Sequence, residues 1–285
     1  MNNAYRPIIN FKHDLSGQVQ RALHEDIGDG DVSAALIPAE TTARASVICR
    51  ETATVCGKEW FNESFFLLDK STEISWNVED GDQIEANDVL CHITGNARVL
   101  LTAERTALNF LQTLSATATL ARTYANAIAG QDTEVLDTRK TIPGLRMAQK
   151  YAVFCGGCSN HRIGLYDAVL IKENHIAAAG SIHQTVETAR QLSPDKMIEV
   201  EVETLAQLQE ALAAGADRVL LDNMSTDMLK EAVAITAGKA ELEASGGITL
   251  KNIKKIAKTG VNYISIGALT KDITAIDLSM RILID

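Results

Sequence analysis

The sequence predicts an α/β fold: an open, incomplete α/β barrel with a smaller N-terminal α+β sandwich domain. Six short apolar runs have the composition of buried strands, and five helical patterns separate them. The strand-like runs span 134–140, 167–175, 197–203, 218–223, 241–247 and 263–268, and the helical patterns span 143–154, 181–192, 204–214, 225–237 and 249–259. Such alternation predicts a parallel sheet or barrel.

The strands recur at a regular interval and end in reactive residues. From Glu201 to Asp222, Ser245 and Gly267 the steps are 21, 23 and 22 residues, which is about one strand, one helix and two turns. An α/β barrel builds its active site at these carboxyl ends of strands. Six strands are fewer than the eight of a closed barrel, so either the barrel is incomplete or one strand escapes detection.

The first hundred residues predict the smaller domain. A helical pattern from residue 14 ends at Gly28, and alternating runs at 43–57 and 72–78 flank a helix over 58–68. An acidic cluster at Asp26, Asp29 and Asp31 resembles a calcium loop. Because it lacks the ligand spacing and the closing Glu, it is interpreted as a capping turn.

A long helix from about Thr102 to Ala129, with Thr102 as its N-cap, bridges the two parts of the chain. The domains are therefore placed at residues 1–115 and 116–271. We expect the tail, 272–285, to join the first domain.

Composition excludes several classes of protein. Of the 285 residues, 46% are hydrophobic and 22% are charged, as in a globular protein, and the net charge of -10 argues against a nucleic-acid partner. The chain lacks an apolar run of the ~18 residues that a membrane span needs, and residues 1–14 lack the apolar core of a signal peptide. Five cysteines do not suggest a disulfide framework. We expect a cytoplasmic protein.

One stretch reverses the acidic balance. Between Thr138 and Lys172, six basic residues face one acid, Asp167; they are Arg139, Lys140, Arg146, Lys150, Arg162 and Lys172. A cationic pocket in an acidic protein indicates a small, multiply anionic substrate. Arg146 and Lys150 lie mid-helix and are interpreted instead as a solvated basic face.

Two segments of this stretch carry candidate anion ligands. Thr138, Arg139 and Lys140 follow a buried strand, and they offer a hydroxyl, a planar fork and a point charge. The alternative is that Asp137 simply pairs with both cations. His161 and Arg162 follow a Cys-x-x-Cys motif that by itself suggests zinc or redox chemistry. Without a second cysteine pair, an anion-binding loop is favoured.

Further strand ends supply carboxylates and another cation. Lys172 ends an apolar run, and Glu173 beside it could neutralise its charge. Glu199, Glu201 and Glu203 share one strand face, where they would repel one another unless cations or a metal offset them. Mg²⁺ carried by a substrate diphosphate would serve, with Glu201 and Asp222 as its carboxylates. The alternative role of Asp222 is to cap the helix at 225.

Two glycine-containing loops complete the predicted site. The residues involved are Ser245, Gly246 and Gly247 in one loop, and Ile266, Gly267 and Ala268 in the next. Backbone N–H groups in such loops, close to a helix N-terminus, bind phosphate in many α/β barrels. Flavin-binding barrels use the same arrangement.

These segments together resemble one family. The motifs are HEDIGDGDVS, LLTAERTALNFLQTLS, DTRKTIPGLRMAQKYAV, GGCSNHRIGLYDAVLIKENHI, EVEVE, LLDNM, EASGGI and ISIGALT, in that order. The chain is similar along nearly all its length to bacterial quinolinate phosphoribosyltransferases (nicotinate-nucleotide pyrophosphorylase, carboxylating). The resemblance implies an open α/β barrel behind a smaller sandwich domain.

The resemblance also implies an activity. The enzyme would transfer the phosphoribosyl group from phosphoribosyl pyrophosphate to quinolinate, giving nicotinate mononucleotide, pyrophosphate and CO₂ in NAD biosynthesis.

It further implies a role for each matched residue. Arg139, His161, Arg162 and Lys172 would line the quinolinate pocket, with Thr138 and Lys140 beside both substrates. Glu201 and Asp222 would hold the ribose hydroxyls and a substrate-associated Mg²⁺, directly or through water. The two glycine-containing loops would bind phosphate, and Arg105 would reach the partner's site in a homodimer.

One departure and three rival functions remain open. Cys158 stands where the family pattern leads us to expect a third glycine. A homologue acting on nicotinate, or a molybdate-associated paralogue, would keep the fold and change the anion. A flavin-dependent oxidoreductase or a non-catalytic metabolite sensor would use the same loops differently.

Overall fold

The computed structural model describes residues 10–284, apart from the side chain of Phe11. The signal-peptide prediction, made on residues 1–14, therefore falls mostly outside the described residues. The described chain divides into two compact units. We call Thr123–Lys140 with Cys158–Ala268 the barrel unit. Thr141–Gly157, most of the chain before Thr123 and the tail after Ala268 form the second, which we call the sandwich unit.

The sandwich unit is built on an antiparallel sheet. Its strands are β1 (Thr42–Cys49), β2 (Ala53–Thr54), β3 (Glu73–Trp76), β4 (Gln83–Ile84) and β5 (Val89–Asn96), and its first helices are α1 (Leu15–Ile27), α2 (Lys58–Phe66) and α3 (Ala97–Ala127). The C-terminal strand, which we number β12 (Leu278–Ile284), pairs with β1 in a sheet of order β12-β1-β5-β3. Alternate residues of β1, from Ala43 to Cys49, are buried, as expected for a sheet with one face on a core.

The predicted start of the long helix is wrong. Helix α3 begins at Ala97, where the Asn96 side chain accepts hydrogen bonds from the N–H groups of Arg98 at 3.0 Å and Val99 at 3.4 Å. Asn96 is thus the cap, and its amide oxygen satisfies N–H groups that would otherwise be unpaired. Thr102 lies inside the helix and donates its hydroxyl to Asp31. Asp31 also accepts from Ser33 and Ala34 N–H, which confirms the capping turn.

Helix α4 (Arg146–Cys155) clusters with the sandwich unit, whereas the sequence places residues 141–157 in the barrel domain. Its buried Ala148 and Ala152 pack in one apolar cluster with Trp60 and Leu114. Lys150 is 0% exposed, so the predicted solvated basic face is wrong there.

The barrel unit contains six parallel strands, as predicted. They are β6 (Glu134–Leu136), β7 (Val169–Ile171), β8 (Ile198–Val202), β9 (Arg218–Asp222), β10 (Glu241–Ser245) and β11 (Tyr263–Ser265). The sheet order is β6-β11-β10-β9-β8-β7, so β6 and β7 form its two open ends and the barrel is incomplete. An isolated parallel bridge joins Leu136 to Ser159 beyond β6.

Helices follow most of these strands. They are α5 (Glu173–Ala179), α6 (Ile182–Leu192), α7 (Leu205–Ala213), α8 (Thr226–Thr236), α9 (Ile253–Ala257) and α10 (Ala268–Lys271). Helix α5 was not predicted, because the strand-like run was extended to His175. That side chain instead accepts the Lys172 N–H at 2.9 Å and opens the helix. Helix α9 starts four residues later than predicted, after a turn in which Asn252 accepts the Thr249 N–H.

The barrel strands are buried on both faces. On β9, Val219 and Leu221 on one face are both 0% exposed, and Arg218 and Leu220 on the other face are 1% and 6% exposed, as expected of a parallel sheet buried on both sides. No helix in the described range 10–284 is both long and apolar enough to cross a membrane. All five cysteines lie in the described range, and none of them forms a disulfide.

Candidate active site

The sheet order brings the predicted site residues of the barrel unit to one edge. Parallel strands all point the same way, so their carboxyl ends meet at a single edge. From β7 to β6 this edge carries, in order, Lys172, Glu201, Asp222, Ser245 to Gly247, Ile266 to Ala268, and Thr138 to Lys140. Cations thus lie at both open ends of the sheet, with carboxylates and glycines between them.

Lys172 and Glu201 form an ion pair at one end of this edge. The Lys172 ammonium contacts Glu201 Oε2, and the side chains are 44% and 16% exposed. The cation therefore pairs with the carboxylate of the neighbouring strand β8, and Glu173 is not needed to neutralise it. Both groups keep enough exposure to meet a ligand.

The carboxylates expected to repel one another on β8 are separated by the chain's own cations. Glu199 is 0% exposed and lies 2.9 Å from His161 Nε2. Glu201 has Lys172, and Glu203 is exposed beyond the end of the strand. Like-charge repulsion on this face is therefore offset without a metal ion between Glu199 and Glu201.

His161 lies between two buried glutamates. Its Nε2 is 2.9 Å from Glu199 and 3.3 Å from Glu243, and its Nδ1 is 2.7 Å from the Arg162 backbone nitrogen, which donates to it. Burial by itself lowers the pKa of His161, but the carboxylates of Glu243 and Glu199 outweigh burial and raise that pKa to about 10.

The Arg162 contact favours a neutral ring, whereas the two carboxylates favour a charged ring. Buried charges outweigh one hydrogen bond of roughly 1 kcal/mol, so we take the ring to be charged. In that state Nδ1 carries a proton and no longer accepts from the Arg162 N–H. In either state Nε2 carries a proton and lies within ion-pair distance of both carboxylates.

The segment that carries His161 is fixed to the end of β6. Asp137, which is 0% exposed, accepts from the Asn160 side chain at 2.6 Å and from the His161 N–H at 2.9 Å. The Arg162 guanidinium donates to the Ala168 carbonyl at 3.1 Å. The two Asp137 contacts join the end of β6, which leads into Thr138–Lys140, to the Asn160–Arg162 segment. In the sequence, only their shared positive charge suggests that these two segments belong to one site.

The cations after β6 differ in exposure. Arg139 is half-buried, and its Nε has no hydrogen-bond partner among the described residues. Lys140 is exposed, and its N–H donates to the Thr138 hydroxyl at 3.1 Å. A Cβ at Gly267 would lie 2.9 Å from Lys140 Cδ, so the missing side chain at Gly267 makes room for this lysine.

Asp222 and the first glycine-containing loop meet at Asn223. Asn223 has a φ of 54° and donates from its side chain to Asp222 at 2.9 Å. A Cβ at Gly246 would lie 2.1 Å from Asn223 Oδ1, and Gly246 itself has a φ of 94°. Ser225 caps α8, so the alternative role of Asp222 as that cap is wrong.

The helices that follow the glycine-containing loops contribute less positive partial charge to a bound phosphate than the sequence predicts. The helices after them, α9 and α10, have only five and four residues. A short helix has a small dipole, because the dipole grows with the number of aligned peptides. Any phosphate contact here therefore depends on loop N–H groups rather than on a long helix.

Glu201 and Asp222 fit the donor set of a substrate-associated Mg²⁺. They follow neighbouring strands, with Glu201 beside Leu220 in the register and Asp222 two residues further on. Mg²⁺ typically takes one or two protein carboxylates and completes its shell with water and substrate phosphate. His161, Glu199 and Glu243 also have ligand-type atoms within 4.8 Å of one another, but the Nε2 proton of His161 occupies the position that a metal would need.

Arg105 is the one predicted site residue in the sandwich unit. It is exposed on α3, where it lines a pocket of about 200 Å³ together with Glu25, Asp26 and Asn109. The sequence did not reveal Asp137, Asn160, Glu199 and Glu243 as partners of the site. For Glu199 and Glu243 the sequence offers one signal, the alternation in β8 and β10. It places Glu199 on the same strand face as Glu201, and Glu243 on the same strand face as Ser245.

Family models account for almost all of the chain. The model of the quinolinate phosphoribosyl transferase N-terminal domain matches residues 31–115, and that of the C-terminal domain matches residues 117–281. The chain belongs to the quinolinate phosphoribosyltransferase family. The resemblance in the motifs is therefore confirmed.

Individual relatives agree with this assignment. A Bacillus subtilis protein named "probable nicotinate-nucleotide pyrophosphorylase (carboxylating)" is 42% identical over 259 residues, 90% of each chain. The Nicotiana tabacum quinolinate phosphoribosyltransferase (decarboxylating) 1b is 40% identical and covers 97% of this chain and 85% of its own. The solved nicotinate-nucleotide pyrophosphorylase of Francisella tularensis superposes with a TM-score of 0.94 at 47% identity, over 99% of this chain and 100% of that one.

Proposed function

We propose that this chain transfers the phosphoribosyl group of phosphoribosyl pyrophosphate to quinolinate, with loss of CO₂, to give nicotinate mononucleotide and pyrophosphate in NAD biosynthesis. The observation that carries this proposal is the sequence of groups along the barrel edge, with cations at both ends and carboxylates and glycines between them. Cations can bind the two carboxylates of a dicarboxylate, while carboxylates and glycine-containing loops can bind the hydroxyls and phosphates of a phosphorylated sugar.

The cations form the quinolinate pocket. Arg139, Arg162 and Lys172 supply three positive charges for two carboxylates, with His161 beside Arg162. The unpaired Nε of Arg139 supports this role, because a buried guanidinium N–H without a partner is costly until a ligand accepts from it. A guanidinium can bind a carboxylate through two parallel hydrogen bonds.

The remaining edge residues hold phosphoribosyl pyrophosphate. Glu201 and Asp222 accept from the ribose hydroxyls and would hold Mg²⁺, directly or through water. The ion, when bound, neutralises the departing diphosphate. Gly246 and Gly247, with φ of 94° and 60°, expose loop N–H groups to phosphate, as do Ser245 and residues 266–268. Lys140, together with Thr138, faces both substrates.

The chemistry follows from this arrangement. The quinolinate nitrogen forms a bond to the anomeric carbon as the bond from that carbon to the diphosphate oxygen breaks. Such a displacement depends on orientation and on charge neutralisation rather than on a strong base. The ring nitrogen is then positive and accepts electron density as the 2-carboxylate leaves as CO₂. A proton from water finally replaces the carboxylate.

The dimer is a second part of the proposal. Arg105 would enter the partner subunit's site, where its guanidinium would add to the cations around the dicarboxylate. Its exposure on α3 supports this role. We expect the enzyme to act in the cytoplasm.

The test is a product assay with matched substrates. Purified protein, Mg²⁺ and phosphoribosyl pyrophosphate are incubated with quinolinate or with nicotinate, and CO₂ and pyrophosphate are measured. We expect both products in equal amounts from quinolinate and neither from nicotinate. Pyrophosphate formed with nicotinate but not with quinolinate would show that nicotinate is the substrate. A flavin absorption spectrum without either product would favour the flavin-dependent oxidoreductase.

A further inference from the structure

Three buried carboxylates lie one or two residues before site residues in the chain: Asp137 before Thr138, Glu199 before Glu201, and Glu243 before Ser245. Asp137, Glu199 and Glu243 are all 0% exposed. Burying a carboxylate is unfavourable unless cations and hydrogen bonds compensate it. None of the three has a part in the reaction described above, so their burial needs another explanation.

Glu199 and Glu243 converge on His161. They come from β8 and β10, the two strands that flank β9, and their carboxylates lie 2.9 Å and 3.3 Å from the same ring nitrogen. Arg218, 1% exposed at the start of β9, lies 3.6 Å from Glu243 and adds a second cation. Arg218 also contacts Glu241 at 2.8 Å. Three carboxylates and two cations are thus gathered in the centre of the barrel unit, with His161 between Glu199 and Glu243.

Asp137 holds the same segment from the other side. It accepts from the Asn160 side chain and from the His161 N–H, at 2.6 Å and 2.9 Å. Asn160 and His161 are therefore fixed through both backbone and side chain. Arg162 comes next in the chain, and its backbone N–H lies 2.7 Å from the His161 ring.

We propose that Asp137, Glu199 and Glu243 are positioning residues, which hold the Asn160–Arg162 segment so that the Arg162 guanidinium stays in the orientation that binds the substrate dicarboxylate. This inference rests on the function proposed above. An arginine bound through two parallel hydrogen bonds tolerates little rotation, so a loose segment would weaken binding of the dicarboxylate. Phosphoribosyl pyrophosphate, held by other loops, would be affected much less.

The kinetic test uses Glu199→Gln and Glu243→Gln, with Glu241→Gln as a matched control. Glu241 lies on the same strand as Glu243 and contacts Arg218 at 2.8 Å, but it makes no contact with His161 among the ion pairs of the described residues. We expect the KM for quinolinate to rise about tenfold in both test variants, which corresponds to the loss of one net hydrogen bond. The KM for phosphoribosyl pyrophosphate should stay unchanged, and the control should behave as wild type.

This pattern separates positioning from simple stability. A variant that only loses folded protein lowers the apparent kcat and leaves both KM values alone. An unchanged KM for quinolinate in both test variants would overturn the proposal.

A second measurement does not depend on the reaction. Hydrogen exchange of the peptide around residues 159–163 reports the local opening of the segment without substrate. We expect faster exchange in Glu199→Gln and Glu243→Gln, and no change in Glu241→Gln. If wild type fails to use quinolinate, the proposed function is wrong, while exchange still tests the contacts.

If neither glutamine variant folds, Asp137→Asn replaces them, because its amide N–H groups would face the Asn160 and His161 donors. Wild-type exchange and a wild-type KM for quinolinate in that variant would also overturn the proposal.

Discussion

At the scale of single residues, the site consists of charges with defined partners. Lys172 pairs with Glu201, Asn223 with Asp222, and His161 with two glutamates. The Nε of Arg139, by contrast, is buried and has neither an ion-pair nor a hydrogen-bond partner among the described residues. A site that binds anions needs such cations more than it needs a strong base.

Removing one cation should lower turnover sharply. We expect Lys140→Ala and Arg162→Ala each to reduce kcat/KM by roughly ten- to a hundredfold, since each loses a charge-assisted contact worth about 1.5–3 kcal/mol. Lys239→Ala, at an exposed lysine just before β10, is the control. Steady-state kinetics measure kcat/KM for each variant. Wild-type kcat/KM in both Lys140→Ala and Arg162→Ala would refute their assignment to the site.

Gly246 makes a second prediction at this scale. Alanine there combines a φ of 94° with a Cβ placed 2.1 Å from Asn223 Oδ1. The left-handed backbone alone costs about 1–2 kcal/mol, and the clash must displace Asn223 as well. Gly215→Ala is the control, because Gly215 has a φ of 80° and open space around it.

We therefore expect Gly246→Ala to unfold at lower urea concentration than Gly215→Ala and to raise the KM for phosphoribosyl pyrophosphate. Equal stability and an equal KM in the two variants would show that the contact with Asn223 is unimportant.

At the scale of elements, strands β8, β9 and β10 enclose a buried charge cluster. It consists of Glu199, Glu243, His161 and Arg218, and Arg218 also stacks on Tyr263 with 4.0 Å between the guanidinium carbon and the ring centroid. Charged groups buried in this way are stable only as a set, because each removes the repulsion or the desolvation cost of another. Paired strands therefore depend on one another beyond their backbone hydrogen bonds.

The cluster predicts a pH dependence of stability. Folding raises the pKa of His161 to about 10, above the unfolded value of ~6.5. Its contribution is therefore complete below pH ~6.5 and is lost as the pH rises through about 10. We expect the difference in free energy of unfolding between wild type and the His161→Asn, Glu199→Gln double variant to shrink over this range.

Urea unfolding at several pH values measures this difference. The double variant removes one cation and one carboxylate together, so Glu243 keeps Arg218 as its partner. A difference that does not fall between about pH 6 and about pH 10 would show that folding does not raise the pKa of His161.

At the scale of the whole molecule, the site as proposed would draw residues from two chains. Seven of the eight charged residues predicted or proposed around the substrates come from one barrel edge or the segment beside it, whereas Arg105 comes from the sandwich unit. A symmetric dimer presents two copies of every surface, so a residue that acts on the partner does so twice. This property allows a complementation test.

Heterodimers of Arg105→Ala and Lys140→Ala, carrying different affinity tags, should regain activity. If Arg105 acts on the partner, one of the two sites contains both wild-type residues, and the purified heterodimer has about half of the wild-type activity. If Arg105 acts within its own chain, each site lacks one residue and the heterodimer stays inactive. Each homodimeric variant is the control.

The kind of fold and the location of the site follow from the sequence alone. Buried strands read as apolar runs, and parallel strands end at one edge, so residues such as Glu201 and Asp222 could be assigned to that edge without coordinates. The exact ends of elements were less accessible. Asn96 rather than Thr102 caps α3, because the decisive hydrogen bonds are local but compete with other candidate caps.

The pairing of charges, in contrast, depends on how the elements pack in three dimensions. The meeting of Glu199, Glu243 and His161 depends on the sheet order β10-β9-β8 and on a segment fixed by Asp137, and residues so far apart in sequence leave no periodic signal. Burial of Lys150 likewise depends on what α4 packs against. Periodicity reports which face of an element is apolar, while the partner of a buried charge is chosen by packing between elements.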